Sequence, residues 1–192
     1  MKHSFLIRII LLFTLVSTYG QEDNLQKTKL TLSYFGETIT HTGLNMGIEH
    51  YPFQSSKYKM ILAANVGGYM HIRNNTSIFV RGQWGHRVTF GNGVFIDEFI
   101  GLGYLHQFTH GGDNYEVLSN GAVIKTPNSG SPMIMPSIAL GTGYDFSKKT
   151  KWNIIYFLRP ELFWKAPFNG YYLTHLSLNT GFIFKLCKKN EK

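Results

Sequence analysis

The sequence has almost no cysteine and, after its first twenty residues, no long hydrophobic run. Its single cysteine, Cys187, excludes an intramolecular disulfide and a zinc site built from several cysteines. The late position of Cys187 also excludes lipid attachment at a processed N-terminal cysteine. Beyond residue 20 polar residues interrupt the apolar ones every few positions, which excludes a bundle of membrane-spanning helices. If the chain enters a membrane, it must do so as β-strands.

The first twenty residues follow a different pattern. Lys2 and Arg8 precede an apolar run at residues 9–16, and small residues lie just before Gln21. This order of basic, apolar and small residues is typical of a secretory signal peptide, and the run is shorter than the roughly 20 residues that a spanning helix needs. We therefore predict a signal peptide at residues 1–20 and a single mature domain at residues 21–192.

Charge is sparse and mainly positive. Lysine and arginine total 19 against 11 acidic residues, which gives a formal net charge of +8. A basic chain can bind nucleic acid, but a secretory signal argues against that partner. The basic clusters at residues 148–151 and 185–192 are typical of a turn and a tail, and anionic lipid headgroups are the simpler expected partners.

Aromatic residues and glycine are abundant, at 15% of the chain and 20 residues, and they favour strands over helices. The alternation of apolar and polar residues predicts eight strands, at residues 29–37, 42–52, 58–72, 77–90, 94–108, 132–146, 152–163 and 171–186.

The connections between these strands alternate in length. Short turns at residues 54–57, 91–93 and 147–151 fall at every second junction, and a long segment at residues 109–131 lies at one of the others. An even number of antiparallel strands joined in this way predicts an all-β, eight-stranded up-and-down barrel of the bacterial outer membrane. The short turns and both termini are expected in the periplasm, and residues 109–131 outside the cell.

The two faces of the predicted strands differ in polarity, and the polar faces are expected to point inward. They carry charge of both signs, at Glu49, Arg81, Arg87, Asp145, Arg159, Glu161 and His175. Such a network would fill the narrow interior of eight strands and argues against an open channel. Two residues break the pattern, because His86 and Glu98 fall on apolar faces. For Glu98 we expect either a bulge in its strand or a position near the membrane interface.

Aromatic residues cluster beside the predicted turns, where girdles at headgroup depth are expected. The predicted girdle residues are Tyr51, Phe53, Tyr58, Phe90, Phe95, Tyr144, Phe146 and Trp152 at one end and Phe163, Trp164, Phe168, Tyr171 and Tyr172 at the other. Outer-membrane lipids and lipopolysaccharide are therefore expected partners, together with the barrel-assembly machinery during insertion.

The strand count, the alternating connections and the terminal strand from Leu176 to Phe184 resemble those of small outer-membrane barrels such as OmpX and the membrane domain of OmpA. The resemblance covers nearly the whole mature chain. Our leading hypothesis is a non-enzymatic protein without a cofactor, with a structural, surface-interaction or narrow ligand-binding role in which residues 109–131 are the variable part.

An enzymatic alternative comes from a second resemblance. His175-Leu176-Ser177 is similar to the His-x-Ser pair of the PagL lipid A deacylases, and acyltransferases of the PagP type have a similar size. Glu161 is expected opposite His175 and would complete an acid, base and nucleophile set. A deacylase must present its nucleophile to acyl chains, whereas this face is predicted to point inward, so we favour a structural network.

Two further alternatives have less support. His106 and His110 flank the long segment, but without a third ligand they do not predict a metal site. A soluble lipocalin-like binding barrel would need an apolar lumen and a polar outer wall, the reverse of the predicted polarity. The sequence leaves open the oligomeric state, the conductance and the partner of residues 109–131.

Overall fold

The computed structural model describes residues 27–110, 114–127, 129–168 and 170–185. The predicted signal peptide lies outside the described residues. Within these ranges no helix is long and apolar enough to cross a membrane.

Ten strands and one short helical turn make up the described part of the chain. Eight strands close into an antiparallel barrel in the order β1, β10, β9, β8, β5, β4, β3 and β2, while β6 and β7 form a separate two-stranded hairpin. This confirms the predicted eight-stranded antiparallel barrel. The elements are β1 (Thr28–Glu37), β2 (Gly43–Gln54), β3 (Tyr58–His71), β4 (Asn75–Thr89), β5 (Val94–Thr109), β6 (Asn114–Val117), β7 (Val123–Thr126), β8 (Ser131–Asp145), a 3₁₀ turn (Phe146–Lys148), β9 (Ile154–Phe168) and β10 (Tyr171–Lys185).

The barrel is closed by the pairing of its first and last strands. β1 and β10 pair without a register shift from Lys29 opposite Lys185 to Glu37 opposite Ser177. Closure pairs the backbone groups of both terminal strands, so the described barrel has no free edge that could pair with another chain.

The two walls of the barrel have opposite polarity because side chains alternate along every strand. Large apolar residues cover the outside and are widely exposed, such as Leu102 at 64% and Leu140 at 65%. Charged residues point inward and are buried, such as Arg87 and Asp97 at 1% each.

The fifth strand keeps its phase throughout. β5 pairs with β4 and β8 without a register shift, so the expectation of a bulge near Glu98 is wrong. Asp97 therefore faces the lumen, and Glu98 lies on the apolar outer wall, directly opposite His86 of β4.

The structure also corrects two connections. The segment predicted as a long loop contains the β6–β7 hairpin, whose strands of 4 residues each are too short for alternation to reveal. The predicted seventh strand ends at residue 163, but β9 continues to Phe168, because its backbone still pairs with β10 as far as Phe168 opposite Tyr171. Lys165 in this extension faces inward, on the same side as Glu161. Residues 169–170 alone then separate β9 from β10.

Three predicted girdle residues are misplaced, since Tyr51, Phe95 and Phe163 are buried inside the lumen. Each lies two positions from an inward carboxylate, and a period of two puts both side chains on the same face. At Tyr51 the β2–β3 register shifts between His50 and Phe53, which lets Phe53 point outward. The side chain of Phe168 lies outside the described part of the structure. The other predicted residues are exposed or half-buried: Phe53, Tyr58, Phe90, Tyr144, Phe146, Trp152, Trp164, Tyr171 and Tyr172.

Candidate functional site

Four buried charges form the centre of the lumen. Arg87 on β4 donates to Asp97 of β5 through Nε at 3.1 Å and Nη2 at 2.8 Å, and its Nη2 is 3.3 Å from Glu49 of β2. Arg159 on β9 donates through Nη2 to Glu49 at 2.8 Å and to Asp97 at 2.9 Å. The two guanidinium groups and two carboxylates balance in charge and tie together four strands. We call Glu49, Arg87, Asp97 and Arg159 the central network.

Aromatic rings flank both arginines of the central network. The Arg87 guanidinium carbon lies 4.2 Å from the centroid of the Phe95 ring, and that of Arg159 lies 4.2 Å from Phe157 and 4.5 Å from Phe99. A cation over an aromatic face is attracted by the ring quadrupole, most strongly where water is excluded. The rings therefore fill the lumen around the charges and stabilise them.

Tyr51 belongs to this network rather than to a girdle. Its hydroxyl donates to Glu49 and accepts a hydrogen bond from Nη1 of Arg87 at 3.1 Å. The Lys29 ammonium lies 3.7 Å from the centroid of the Tyr51 ring. The side chain thus connects the central network to the turn end of the lumen.

A second buried pair lies further toward the loops. Arg81 of β4 forms an ion pair with Glu161 of β9, and Nδ2 of Asn179 donates to the other Glu161 oxygen at 2.8 Å. Between this pair and Arg159 lies a polar cavity of about 10 Å³, close to the space that one water molecule occupies. The two ionic layers leave little room for solutes between them.

Each end of the lumen has its own cluster of hydrogen-bonded polar side chains. At the turn end Asp145 accepts two hydrogen bonds from the Lys185 ammonium, at 2.9 and 2.8 Å, and so links β8 to β10. At the loop end the Glu37 carboxylate bonds to both His41 and His175. All seven residues of the predicted interior network therefore face the lumen, but Asp145 and His175 belong to separate end clusters.

Sequence reasoning missed two residues that hold these clusters together, Asp97 and Glu37. The alternation of β5 was sufficient to find Asp97, because it lies on the face opposite Ile96 and Glu98. Alternation along β1 also places Glu37 inward, on the face of Lys29, Thr31 and Ser33. Nothing in the sequence indicates its partner His175, which is 138 residues away and joins it only after β1 and β10 close the barrel.

The predicted acid, base and nucleophile set is not assembled as a hydrogen-bonded triad. Nδ1 of His175 bonds to Glu37, and its ring stacks on Phe163 with centroids 5.1 Å apart. Ser177 is 1% exposed, and its Oγ has no hydrogen-bond partner among the described residues. Glu161 is engaged by Arg81, and all three predicted residues face the lumen, away from any acyl chain at the outer wall.

The two histidines that flank the predicted long segment, His106 and His110, each have separate partners. Nδ1 of His106 is 2.7 Å from the Tyr104 hydroxyl, and Nε2 of His110 is 2.7 Å from Oγ1 of Thr76. Within the part of the chain that the structure describes, no group of three or more histidine, cysteine or acidic side chains is arranged to hold a metal ion.

Comparison with known proteins gives a fold but no family. No family model matches the sequence, and no curated protein matches it significantly. Among solved structures, Neisserial surface protein A (NspA) aligns with a TM-score of 0.53 and 9% identity, covering 82% of this chain and 94% of that one.

Two further alignments have lower TM-scores. The Yersinia pestis outer membrane protein Ail aligns at 0.42, with 8% identity over 82% of this chain and 98% of that one. The N-terminal β-barrel domain of Pseudomonas aeruginosa OprF aligns at 0.40, with 18% identity over 83% and 97%. At such identities a likeness shows the fold alone. The chain has the fold of the small eight-stranded outer-membrane β-barrels.

Proposed function

We propose that the chain is a non-enzymatic protein of the bacterial outer membrane, with a lumen closed by its charged side chains and an interaction surface at its loop end. The observation that carries this proposal is the opposite polarity of the two walls. An outer wall of exposed apolar side chains is stable only against an apolar medium, and an interior of paired charges fits a barrel whose outside faces lipid. A soluble lipocalin-like barrel requires the reverse arrangement.

The connections support one orientation of the barrel in the membrane. Short turns join β2 to β3, β4 to β5 and β8 to β9, whereas the β6–β7 hairpin lies at the opposite end. By the usual pattern of such barrels the turns face the periplasm and the hairpin faces outward. In this orientation the outer wall contacts phospholipid and lipopolysaccharide, and the barrel-assembly machinery inserts the chain.

The hairpin supports a role in surface interaction. Tyr115, Val117 and Val123 are each more than 60% exposed on it. Apolar residues grouped at an exposed site are typical of interaction surfaces. We therefore assign partner binding to the β6–β7 hairpin rather than to the lumen.

Two measurements on the full chain test this proposal. We expect the protein in the outer-membrane fraction, with a gel mobility that changes when the sample is boiled. A soluble protein with heat-insensitive mobility would contradict membrane insertion.

Conductance in planar bilayers tests the closed lumen. We expect no lasting current steps from the wild-type barrel. A variant combining Glu49→Ala with Arg87→Ala provides the comparison, because it shortens two side chains and leaves Asp97 paired with Arg159. We expect small current steps from that variant. Current of the same size through the wild-type barrel would contradict the closed lumen.

A further inference from the structure

A polar pair lies on the outer wall among apolar residues. Nδ1 of His86 on β4 is 3.4 Å from Oε1 of Glu98 on β5, and the Glu98 side chain is 65% exposed. The flanking outward residues of β5, Ile96 and Ile100, are each more than half exposed and apolar. An ionisable group facing lipid is costly and marks a functional site more often than a structural one.

The pair lies on the turn side of the barrel, just inside the aromatic residues of that end. His86 lies four positions before Phe90 at the β4–β5 turn. With a rise of about 3.3 Å per residue and a strand tilt of roughly 40°, this corresponds to a depth of roughly 10 Å. At this depth in the leaflet on the turn side, Glu98 meets a headgroup when its side chain extends toward the turn and the bilayer thins locally.

Aromatic side chains surround the imidazole. The His86 ring lies edge-on to Trp84 at 4.8 Å and 5.6 Å from Tyr58, whose ring in turn contacts Phe53 at 6.0 Å. Trp84 is 44% exposed and presents its ring to the outside. Exposed aromatic faces beside a carboxylate are typical of sites that bind an organic cation.

An apolar groove of about 580 Å³ extends from the polar pair toward the middle of the barrel wall. The strand register places its outward residues in one row, because Ile100 pairs with both Trp84 and Ile138, and Leu162 pairs with both Ile138 and Leu176. His86 and Glu98 lie two positions nearer the β4–β5 turn than this row. A polar end and an apolar floor match the shape of a lipid whose headgroup is at the turn side.

We propose that this groove binds a phospholipid with a primary ammonium headgroup, with Glu98 accepting from the ammonium and an acyl chain lying along the row of apolar side chains. A carboxylate has about four acceptor positions, and His86 occupies one of them. A primary ammonium donates hydrogen bonds to the others, whereas a quaternary ammonium has no N–H group and an anionic headgroup is repelled. A second copy of the chain is a poorer occupant, since a two-fold contact centred on Glu98 would oppose two carboxylates.

This inference rests on the proposed membrane location, and Trp84 fluorescence tests both. Trp152→Phe with Trp164→Phe leaves Trp84 as the single tryptophan of the full chain. The barrel is inserted into phosphatidylcholine vesicles that contain a fixed fraction of lipid with brominated acyl chains, which quench a tryptophan in contact with them. The brominated lipid is phosphatidylethanolamine, phosphatidylcholine or phosphatidylglycerol.

We expect brominated phosphatidylethanolamine to bind about two- to fivefold more strongly at Trp84 than either of the other lipids. Glu98→Gln should abolish this preference and leave general quenching intact. The single-tryptophan variant that retains Trp152 is the matched control and should show no preference. Equal quenching by all three lipids, or a preference that persists in Glu98→Gln, overturns the lipid site alone, and no quenching by any lipid overturns the membrane location as well.

Discussion

The Arg159 guanidinium on β9 lies 2.8 Å from the Glu49 carboxylate on β2, although 110 residues separate them in the chain. The two strands are three positions apart around the barrel, so the contact crosses the lumen instead of following the wall. Asp97 on β5 also accepts a hydrogen bond from Arg159. One guanidinium on β9 therefore binds carboxylates on two other strands, β2 and β5. The interior of this barrel is therefore held together by ion pairs between side chains on strands that are not neighbours as well as on adjacent ones.

The first prediction compares two adjacent carboxylates on opposite walls. Asp97→Asn removes the charge shared by Arg87 and Arg159, and an unbalanced buried charge should lower the free energy of unfolding by about 3–5 kcal/mol. Glu98→Gln should not lower it, because that side chain is on the exposed outer wall, where a charge facing lipid is itself costly. Urea unfolding in lipid vesicles measures both, and equal losses in the two variants would contradict the assignment of faces.

The second prediction uses a pair of glycines. A Cβ at Gly141 would collide with Oδ1 of Asp97 and with the side chain of Arg159, whereas a Cβ at Gly82 meets nothing within 4 Å. Gly141→Ala should therefore displace the central network and cost about 1–3 kcal/mol in the same unfolding experiment. We expect Gly82→Ala to be nearly neutral. A neutral effect of Gly141→Ala would show that the side chains of Asp97 and Arg159 are not closely packed against Gly141.

The third prediction separates the hairpin from the barrel. β5 and β8 pair continuously from Gln107 opposite Ser131 to Val94 opposite Tyr144, without help from β6 or β7. Replacement of residues 114–126 by a short glycine and serine linker should therefore preserve heat-dependent gel mobility and outer-membrane insertion. A variant that fails to insert would mean that the hairpin contributes to folding and is not only an interaction surface.

Much of the fold follows from alternation alone, because each spanning strand has one apolar and one polar face. A period of two is sufficient to predict the strand count and the inward direction of five charged residues: Glu49, Arg81, Arg87, Arg159 and Glu161. The same period predicts that Tyr51 points into the lumen. We instead predicted Tyr51 in the girdle because it lies next to a turn.

The partners of the inward residues do not follow from sequence. Which charges meet across the lumen depends on the stagger of all eight strands, so the contact between Glu37 and His175 exists only once the barrel has closed. For the same reason, the sequence placed Glu161 with His175, while the structure pairs Glu161 with Arg81. Register thus determines whether an inward polar residue is part of a catalytic set or of a structural network.

Cysteine labelling in intact cells tests membrane insertion and orientation together. In a Cys187→Ser background, Asn120→Cys places a thiol at the exposed tip between β6 and β7, and Leu102→Cys places one on the outer wall where the side chain is 64% exposed. A membrane-impermeant maleimide should label Asn120→Cys in intact cells and should leave Leu102→Cys unlabelled until the protein is extracted and unfolded. Labelling of Leu102→Cys in the folded protein, to the same extent as Asn120→Cys, would contradict a barrel whose apolar wall faces lipid.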